Sequence, residues 1–242
     1  MCTVSFIPQH DKLFIAHNRD ESSLRSRAVA PALHTINGYV LLYPKDSAAG
    51  GTWIAVNKNG QAGVLLNGAF VKHKHQPPYS RSRGLVMLDI MAADDILISY
   101  QSLPLNGIEP FTVILWNGTS LHECRWDGND KHVKTLNAGE AYTWSSVTLY
   151  NEDILAKRTA WFKTWLQLHP QPSIEDVLHY HLTGGDGDKQ NDLRMNRNDQ
   201  MLTVSITAIE INQQSAVMEY KDLYDNSNAH YQLLLTKAAA IQ

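Results

Sequence analysis

The chain of 242 residues contains only two cysteines, Cys2 and Cys124. They lie far apart and in no metal-binding spacing, which argues against a secreted scaffold stapled by disulfides. No apolar run approaches the roughly 20 residues that a membrane-spanning helix needs. The segment up to Phe14 carries Asp11 and Lys12 where a signal peptide would have its apolar core. We therefore expect a cytoplasmic protein with no membrane partner.

An excess of charge of one sign is also missing. The chain has 21 basic and 24 acidic residues, for a formal net charge of -3. Because nucleic-acid binding depends on clustered basic side chains, this balance disfavours a nucleic-acid partner. A content of 43% hydrophobic and 19% charged residues is typical of an ordinary globular protein. The length favours one large domain over residues 1–242, with a small molecule as its substrate or ligand.

Short β-rich segments dominate the early chain. Residues 3–7 and 13–16 predict a hairpin, with the polar run Asn18-Arg19-Asp20-Glu21 at the end of its second strand. A typical hairpin turn, Asn57-Lys58-Asn59-Gly60, separates two further strands. The strands predicted after the first hairpin cover residues 38–43, 51–56, 61–66, 111–116, 120–126, 202–211, 216–220 and 231–235.

Three segments are predicted to be helical. Residues 85–92 are nearly all apolar, which favours a buried helix. Residues 151–169 have apolar side chains at helical spacing, and their Trp161, Phe162 and Trp165 are more typical of a core than of a ligand platform. Ser173 begins a capping box, and the glycine-rich run 184–188 requires a loop. The order of sheet, helix, sheet, helices and sheet predicts an α+β layered domain.

Four short motifs follow one another in the first part of the chain. They are Met1-Cys2-Thr3-Val4, Asn18-Arg19-Asp20-Glu21, Gly50-Gly51-Thr52-Trp53 and Leu66-Asn67-Gly68. In this order they resemble the NRDE-motif family, which includes the transport and Golgi organisation 2 proteins. The resemblance implies an N-terminal-nucleophile (Ntn) hydrolase fold, a four-layer αββα sandwich with two stacked antiparallel sheets and the nucleophile at the tip of the first strand.

The resemblance leaves two functions open. Similarity to the choloylglycine-hydrolase branch of the fold implies cleavage of a non-peptide carbon–nitrogen bond without a cofactor. Other relatives imply a non-catalytic carrier for an apolar or haem-like ligand. A fold shared by several functions does not decide between these two.

The chain departs from the choloylglycine-type pattern at three places. The arginine of the signature Arg-Asn-x-Asp is His17 here, and the guanidinium moves to Arg19. Many relatives carry Ser-Asn where this chain has Ser145-Ser146, and an arginine where Val204 lies. A second amide donor and a second arginine are therefore missing, which favours the carrier.

The motif residues are suited to acyl transfer through a thioester. Removal of Met1 would give Cys2 both a thiol and an α-amine, a nucleophile and its base in one residue. The amine has an unperturbed pKa of roughly 8, close to physiological pH. Arg19 would hold the thiolate by charge and Asp20 would orient the ammonium. Asn67 would donate to the oxyanion, a contribution of about 3 kcal/mol where it has been measured.

Each catalytic candidate also has a structural interpretation. Cys2 could be a small buried strand residue, the common location of a free cysteine. Arg19 and Asp20 could form an ion pair at a strand end. Asn67, which precedes Gly68, could be a turn residue.

Other polar residues extend the candidate list. His17, Asn18, Arg81 and Arg83 are the candidate substrate-binding residues. The two arginines either meet an anionic group of the substrate or only begin a helix.

Two pairs of histidines, each pair separated by one residue, are candidate metal ligands. They are His73 with His75 and His179 with His181. Because neither pair has an evident third ligand, surface histidines are the favoured interpretation. We therefore predict no metal site.

Overall fold

The computed structural model describes residues 2–236. Within this range four helices form, namely α1 (Arg83–Met91), α2 (Ile96–Ser102), α3 (Glu152–Leu168) and α4 (Ile174–Thr183). The strands, in chain order, are β1 (Cys2–Pro8), β2 (Lys12–Ser22), β3 (Val29–Ile36), β4 (Tyr39–Lys45), β5 (Ile54–Asn57), β6 (Ala62–Asn67), β7 (Phe111–Trp116), β8 (Leu121–Trp126), β9 (Lys131–Leu136), β10 (Tyr142–Ser145), β11 (Asn196–Arg197), β12 (Met201–Asn212), β13 (Ser215–Asp222) and β14 (Asn228–Leu234). None of these helices is long and apolar enough to cross a bilayer.

The strands form two antiparallel sheets. The first has the order β10-β1-β2-β12-β13-β14, with β11 beside β12, and the second runs β3 to β9 in sequence order. Their inner faces enclose an apolar core that includes Val4, Phe6, Ile15, Val64 and Ile114. Helices α1 and α2 cover the second sheet, and α3 and α4 cover the first. The α+β sandwich of four αββα layers is confirmed.

Strand β2 is longer than the sequence predicts. Leu13 and Ile15 enter the core between the sheets, whereas Phe14 and Ala16 pack against the helices. This alternation continues through the polar residues 17–20, which are all buried and pair with β1 and β12. The prediction that β2 ends at Ala16 is wrong, because residues 17–20 continue the strand with their polar side chains buried.

The predicted helices are present, and Phe162 is buried in the core beneath them. The elements missing from the prediction are short or lie at edges. They are α2, β3, β9, β10 and β11. Strand β9 is almost fully exposed on both faces, so its residues show no apolar alternation that a pattern could reveal.

The start of α1 lies directly against the loop before β5. A Cβ atom on Gly51 would lie 2.2 Å from the carbonyl carbon of Gly84. The N–H of Thr52 donates to the carbonyl of Gly84 across 3.1 Å. This backbone contact fixes the position of Arg83, the first residue of α1.

Replacing Gly51 with alanine should therefore overpack this contact. We expect a free energy of unfolding lower by about 1–3 kcal/mol, because backbone on both sides cannot give way. Urea unfolding measures the change. Gly139→Ala is the matched control, since a Cβ there meets nothing closer than 3.4 Å. Equal midpoints for Gly51→Ala and the unmodified protein would contradict the packing described.

Candidate active site

Cys2 lies at the beginning of β1, between two neighbouring strands. Its register partner on β2 is Arg19, and its carbonyl accepts a hydrogen bond of 2.9 Å from the N–H of Ser146 after β10. The residue is 5% exposed and faces the core between the sheets. It also lines a cavity of about 140 Å³ at the end of that core.

The cavity brings together most of the predicted site. Cys2, Arg19, Asp20, Asn67 and Arg83 all line it. Further lining residues that sequence reasoning missed are Glu21, Arg25, Asp46, Trp53 and Ser82. The predicted substrate-binding residues His17, Asn18 and Arg81 do not line it.

Arg19 forms one wall of the cavity. Its guanidinium carbon lies 4.4 Å from the ring centre of Trp53, and its Nη2 lies 2.7 Å from a carboxylate oxygen of Asp46. The same oxygen accepts from Arg25 at 3.0 Å. Asp46 is held by the N–H groups of the turn after β4, an aspartate turn that no sequence motif marked. The suggested ion pair between Arg19 and Asp20 does not form.

Asp20 points to the opposite face of β2, toward the helical layer. It accepts hydrogen bonds from Thr203 (2.6 Å) and Tyr150 (3.2 Å). Complete burial raises the pKa of its carboxyl, while the charge of Arg158 and these two hydrogen bonds act in the other direction. Its backbone N–H lowers the pKa of the Cys2 thiol, whereas the charge of its carboxylate raises it.

Arg158 is the functional candidate that sequence reasoning missed most clearly. It is 1% exposed and has no carboxylate partner within 4.0 Å among residues 2–236. It donates instead to the hydroxyls of Thr3 and Ser145 and to two backbone carbonyls of the loop after α4. Its guanidinium carbon lies 3.7 Å from the ring centre of Tyr150. Its position on the buried face of α3, four residues before Phe162, was the available signal.

The thiol of Cys2 is not activated by Arg19 in this arrangement. Burial raises the pKa of Cys2, the negative charge of Asp20 adds to the rise, and the hydrogen bond from the Asp20 backbone opposes it. The guanidinium of Arg19 is instead matched by Asp46. A thiolate at Cys2 therefore needs a base beside the sulfur.

Asn67 ends β6 and is held by its backbone. Its carbonyl accepts from the hydroxyl of Ser146 at 2.6 Å. Gly68, at φ +83°, allows the close approach, because a Cβ there would lie 2.7 Å from Thr148. The side-chain amide makes no hydrogen bond within residues 2–236 and is half-buried at the cavity. Its N–H groups are therefore available to a ligand.

His17 and Asn18 are adjacent in sequence to residues of the cavity, but their side chains do not line it. The ring nitrogens of His17 are buried without a hydrogen-bond partner in the described chain, and burial holds the pKa of this imidazole well below its usual range. Asn18 donates to the carbonyls of His181 and Leu193 on the helical side. The first residue faces the core, and the second ties β2 to the helical layer.

The prediction of surface histidines is wrong for His181. This side chain is fully buried, and its two ring nitrogens contact Asn18 (2.6 Å) and Ser5 (2.7 Å). Residues two apart on a helix point in different directions, so His179 does not share this position. Among residues 2–236 no three metal-binding side chains come together as a metal site.

The two arginines near α1 have different environments. Arg81 is exposed and pairs with Asp89. Arg83 lines the cavity, pairs with Glu109 at 3.0 Å and donates to the carbonyl of Pro110. Only Arg83 is placed to meet a ligand beside Cys2.

Two of the three positions that depart from the choloylglycine-type pattern lie close to Cys2 and Asp20. Ser146 contacts the carbonyl of Cys2, as described above, and Val204 occupies the register shift of β12 between Thr203 and Ser205. No arginine of the described chain fills the place of Val204. Arg158, on a different element, supplies the buried positive charge near Asp20.

Solved structures share this architecture. Two variants of the conjugated bile acid hydrolase from Clostridium perfringens align with TM-scores of 0.62 and 0.61, at 10% and 9% identity. The first alignment covers 100% of this chain and 99% of that chain, and the second covers 96% and 92%. The Caenorhabditis elegans ortholog of N-acylethanolamine-hydrolyzing acid amidase aligns with a TM-score of 0.57 and 10% identity, over 86% of this chain and 92% of that chain. At these identities the likeness shows the fold alone, and the expected Ntn-hydrolase fold is confirmed.

Sequence comparison points to one family. The sequence profile described as Transport and Golgi organisation 2 matches residues 1–221. None of the curated proteins matches the chain. The resemblance drawn from the four motifs is thus confirmed.

The burial of Asp20 predicts a pH-dependent cost to stability. Because its folded-state pKa is raised above the usual value, its stabilising contribution is complete at low pH and is lost as the pH rises through the folded pKa. Asp20→Asn removes this ionisation. We therefore expect the variant to gain unfolding free energy relative to the unmodified protein between pH 4 and pH 8, measured by urea unfolding at several pH values.

Asp130→Asn is the control for this measurement, because Asp130 is exposed. This control reports, at each pH, the effect of replacing an exposed carboxylate with an amide. A difference between Asp20→Asn and the unmodified protein that shrinks as the pH rises would contradict the raised pKa.

Proposed function

Because the chain belongs to the Transport and Golgi organisation 2 family and has an Ntn-hydrolase fold, we propose that it hydrolyses a linear amide through a thioester on Cys2. The bond cleaved is a non-peptide carbon–nitrogen bond. The reaction uses the protein's own residues and no cofactor. The cytoplasm stays the predicted location.

One observation carries this proposal. The thiol of Cys2 and the unpartnered amide of Asn67 line the same cavity, on strands from the two different sheets. A nucleophile and an N–H donor on opposite sides of one small cavity are what acyl transfer requires. The hydrogen bond from Ser146 and the glycine at position 68 hold Asn67 in this position.

The first half-reaction forms the thioester. Once Met1 has been removed, the α-amine of Cys2 takes the thiol proton and the sulfur attacks the carbonyl carbon of the amide. The carbonyl oxygen becomes an oxyanion that accepts a hydrogen bond from Asn67. The carbon–nitrogen bond then breaks, and the leaving amine takes the proton from the α-ammonium.

The second half-reaction regenerates the thiol. Water gives a proton to the α-amine and attacks the thioester carbon. The carbon–sulfur bond breaks, the acid is released, and the sulfur takes the proton back. The α-amine suits this double role because its unperturbed pKa of roughly 8 lies near physiological pH.

Arg19 and Asp20 act as positioning residues in this scheme. Arg19 is held in the cavity wall by its contacts with the Trp53 ring and the Asp46 carboxylate. The backbone N–H of Asp20 lowers the pKa of the Cys2 thiol, and its buried carboxyl accepts hydrogen bonds from Thr203 and Tyr150. The raised pKa of the thiol makes the adjacent amine necessary.

The size and the charged lining of the cavity disfavour the alternative function, a carrier of an apolar or haem-like ligand. Its volume is about 140 Å³, below the roughly 300–1,000 Å³ typical of pockets for drug-sized ligands. Arginine and carboxylate side chains form much of its wall. Burying a large apolar ligand there would desolvate these charges without compensation.

Substitution of Asn67 tests the oxyanion role. We expect Asn67→Ala to lower kcat by about 10²–10³ with little change in KM, because the donor acts on the transition state. The assay follows release of p-nitroaniline from a panel of short N-acyl p-nitroanilides. Cys2→Ala should abolish the release.

Asn106→Ala provides the matched control, since Asn106 is exposed and does not line the cavity. It should retain the activity of the unmodified protein. The hydrolase proposal is wrong if no amide in the panel is cleaved by protein that begins at Cys2, or if cleavage survives Cys2→Ala.

A further inference from the structure

The cavity wall carries more unmatched donors than acceptors. Three guanidinium groups line it. Glu21 and Asp46 pair with Arg19 and Arg25, and Glu109, which lies outside the lining, pairs with Arg83. Asp20 also contributes to the lining, but its carboxyl is turned to Thr203 and Tyr150 on the other face of β2. One carboxylate oxygen of Asp46 accepts hydrogen bonds from both Arg19 and Arg25. The three guanidinium groups therefore all have a carboxylate partner, and the wall presents to a ligand an excess of N–H donors that have no hydrogen bond within residues 2–236.

Arg83 has one guanidinium nitrogen without a protein partner at the cavity, among the described residues. Its side chain is 17% exposed, and its Nε has no hydrogen-bond partner within residues 2–236. Its partner Glu109 does not line the cavity and is shared with His73 (3.0 Å) and His75 (3.2 Å). Burial lowers the pKa of Arg83, while the charges of Glu109 and Cys2 oppose this change. A second anion at the cavity would compensate the lost hydration.

Neutral donors add to this excess. The indole N–H of Trp53 is buried without a partner in the described chain, although Trp53 lines the cavity. The side-chain amide of Asn67 likewise has no hydrogen bond within residues 2–236. With Arg83 these groups make the cavity richer in donors than in acceptors, and ligands in such sites supply the complementary oxygens.

The position of Arg83 is fixed rather than adjustable. The backbone contact between Gly51 and Gly84 presses the first turn of α1 against the loop before β5. Ser82 caps this helix, and no acidic residue occupies its first turn. The positive end of the helix thus adds to the charge of Arg83 at the same wall.

We propose that the cavity takes a short acyl group bearing a second carboxylate, which pairs with Arg83. The proposal rests on the hydrolase function above and names its substrate class as half-amides of small dicarboxylic acids. The volume of about 140 Å³ limits the acyl group to a few carbons. The acid released on hydrolysis is then a small dicarboxylate.

Calorimetric titration with succinate tests this assignment. Succinamide is the neutral comparison of the same length. We expect succinate to bind at least tenfold more tightly than succinamide, and Arg83→Met to remove this preference. Arg81→Met is the matched control, because Arg81 is exposed and pairs with Asp89 outside the cavity.

Arg83→Lys tests whether the loss of succinate preference in Arg83→Met comes only from a general loss of structure. It keeps the charge without the planar fork, and it should retain part of the succinate preference. The proposal is overturned if succinate binds no better than succinamide, or if Arg83→Met binds succinate as the unmodified protein does.

The titration does not depend on turnover, so the two proposals can fail separately. Succinate binding through Arg83 in a protein that cleaves no amide would refute the hydrolase and leave the anion site standing. Cleavage of neutral acyl amides without a succinate preference would refute the substrate class and leave the hydrolase standing.

Discussion

Strand β1 is the constraint on which the site depends. It pairs with β2 on one side and β10 on the other, and both of its faces are buried. Val4 and Phe6 pack between the sheets, whereas Thr3 and Ser5 bond beneath the helices. A slip of one residue would exchange these faces, so the register is strongly specified. Cys2 is therefore held at the end of the inter-sheet core by the packing of the whole strand.

The same alternation explains why three consecutive motif residues have different tasks. Asn18 ties β2 to α4, Arg19 supports the cavity wall, and Asp20 returns to the helical side. Arg158 completes the arrangement from α3, because it holds the strand carrying Cys2 and the loop after α4 together. Its buried charge also lies near Asp20. A buried arginine without a carboxylate partner is costly, which is consistent with a role beyond stability.

Much of this architecture could be read from the sequence. The β-rich segments, the buried helix α1 and the amphipathic helix α3 follow from apolar periodicity, and four motifs indicated the family and its fold. Cys2, Asn67 and Arg83 were placed in the site by motif or by charge, and the structure brings them to one cavity. Periodicity failed where polar residues are buried, as at the end of β2, and at β9, which is exposed.

Tertiary contacts account for the residues that the sequence did not reveal. Asp46 meets Arg19 only because β4 and β2 belong to different stacked sheets, and no local motif marks that pairing. In the sequence Arg158 looks like an ordinary helix residue, because its burial results from the packing of α3 on the first sheet. The surface interpretation of His181 failed for the same reason, since its partners Ser5 and Asn18 are distant in sequence.

The most direct measurement is the intact mass of the protein after mixing with p-nitrophenyl acetate. Two forms are compared, one beginning at Cys2 and one retaining Met1. The account predicts rapid gain of a single acetyl group by the first form, removable with hydroxylamine as a thioester and absent from Cys2→Ala, and much slower gain by the second. Equal rates in the two forms would contradict the claim that the α-amine of Cys2 activates its thiol.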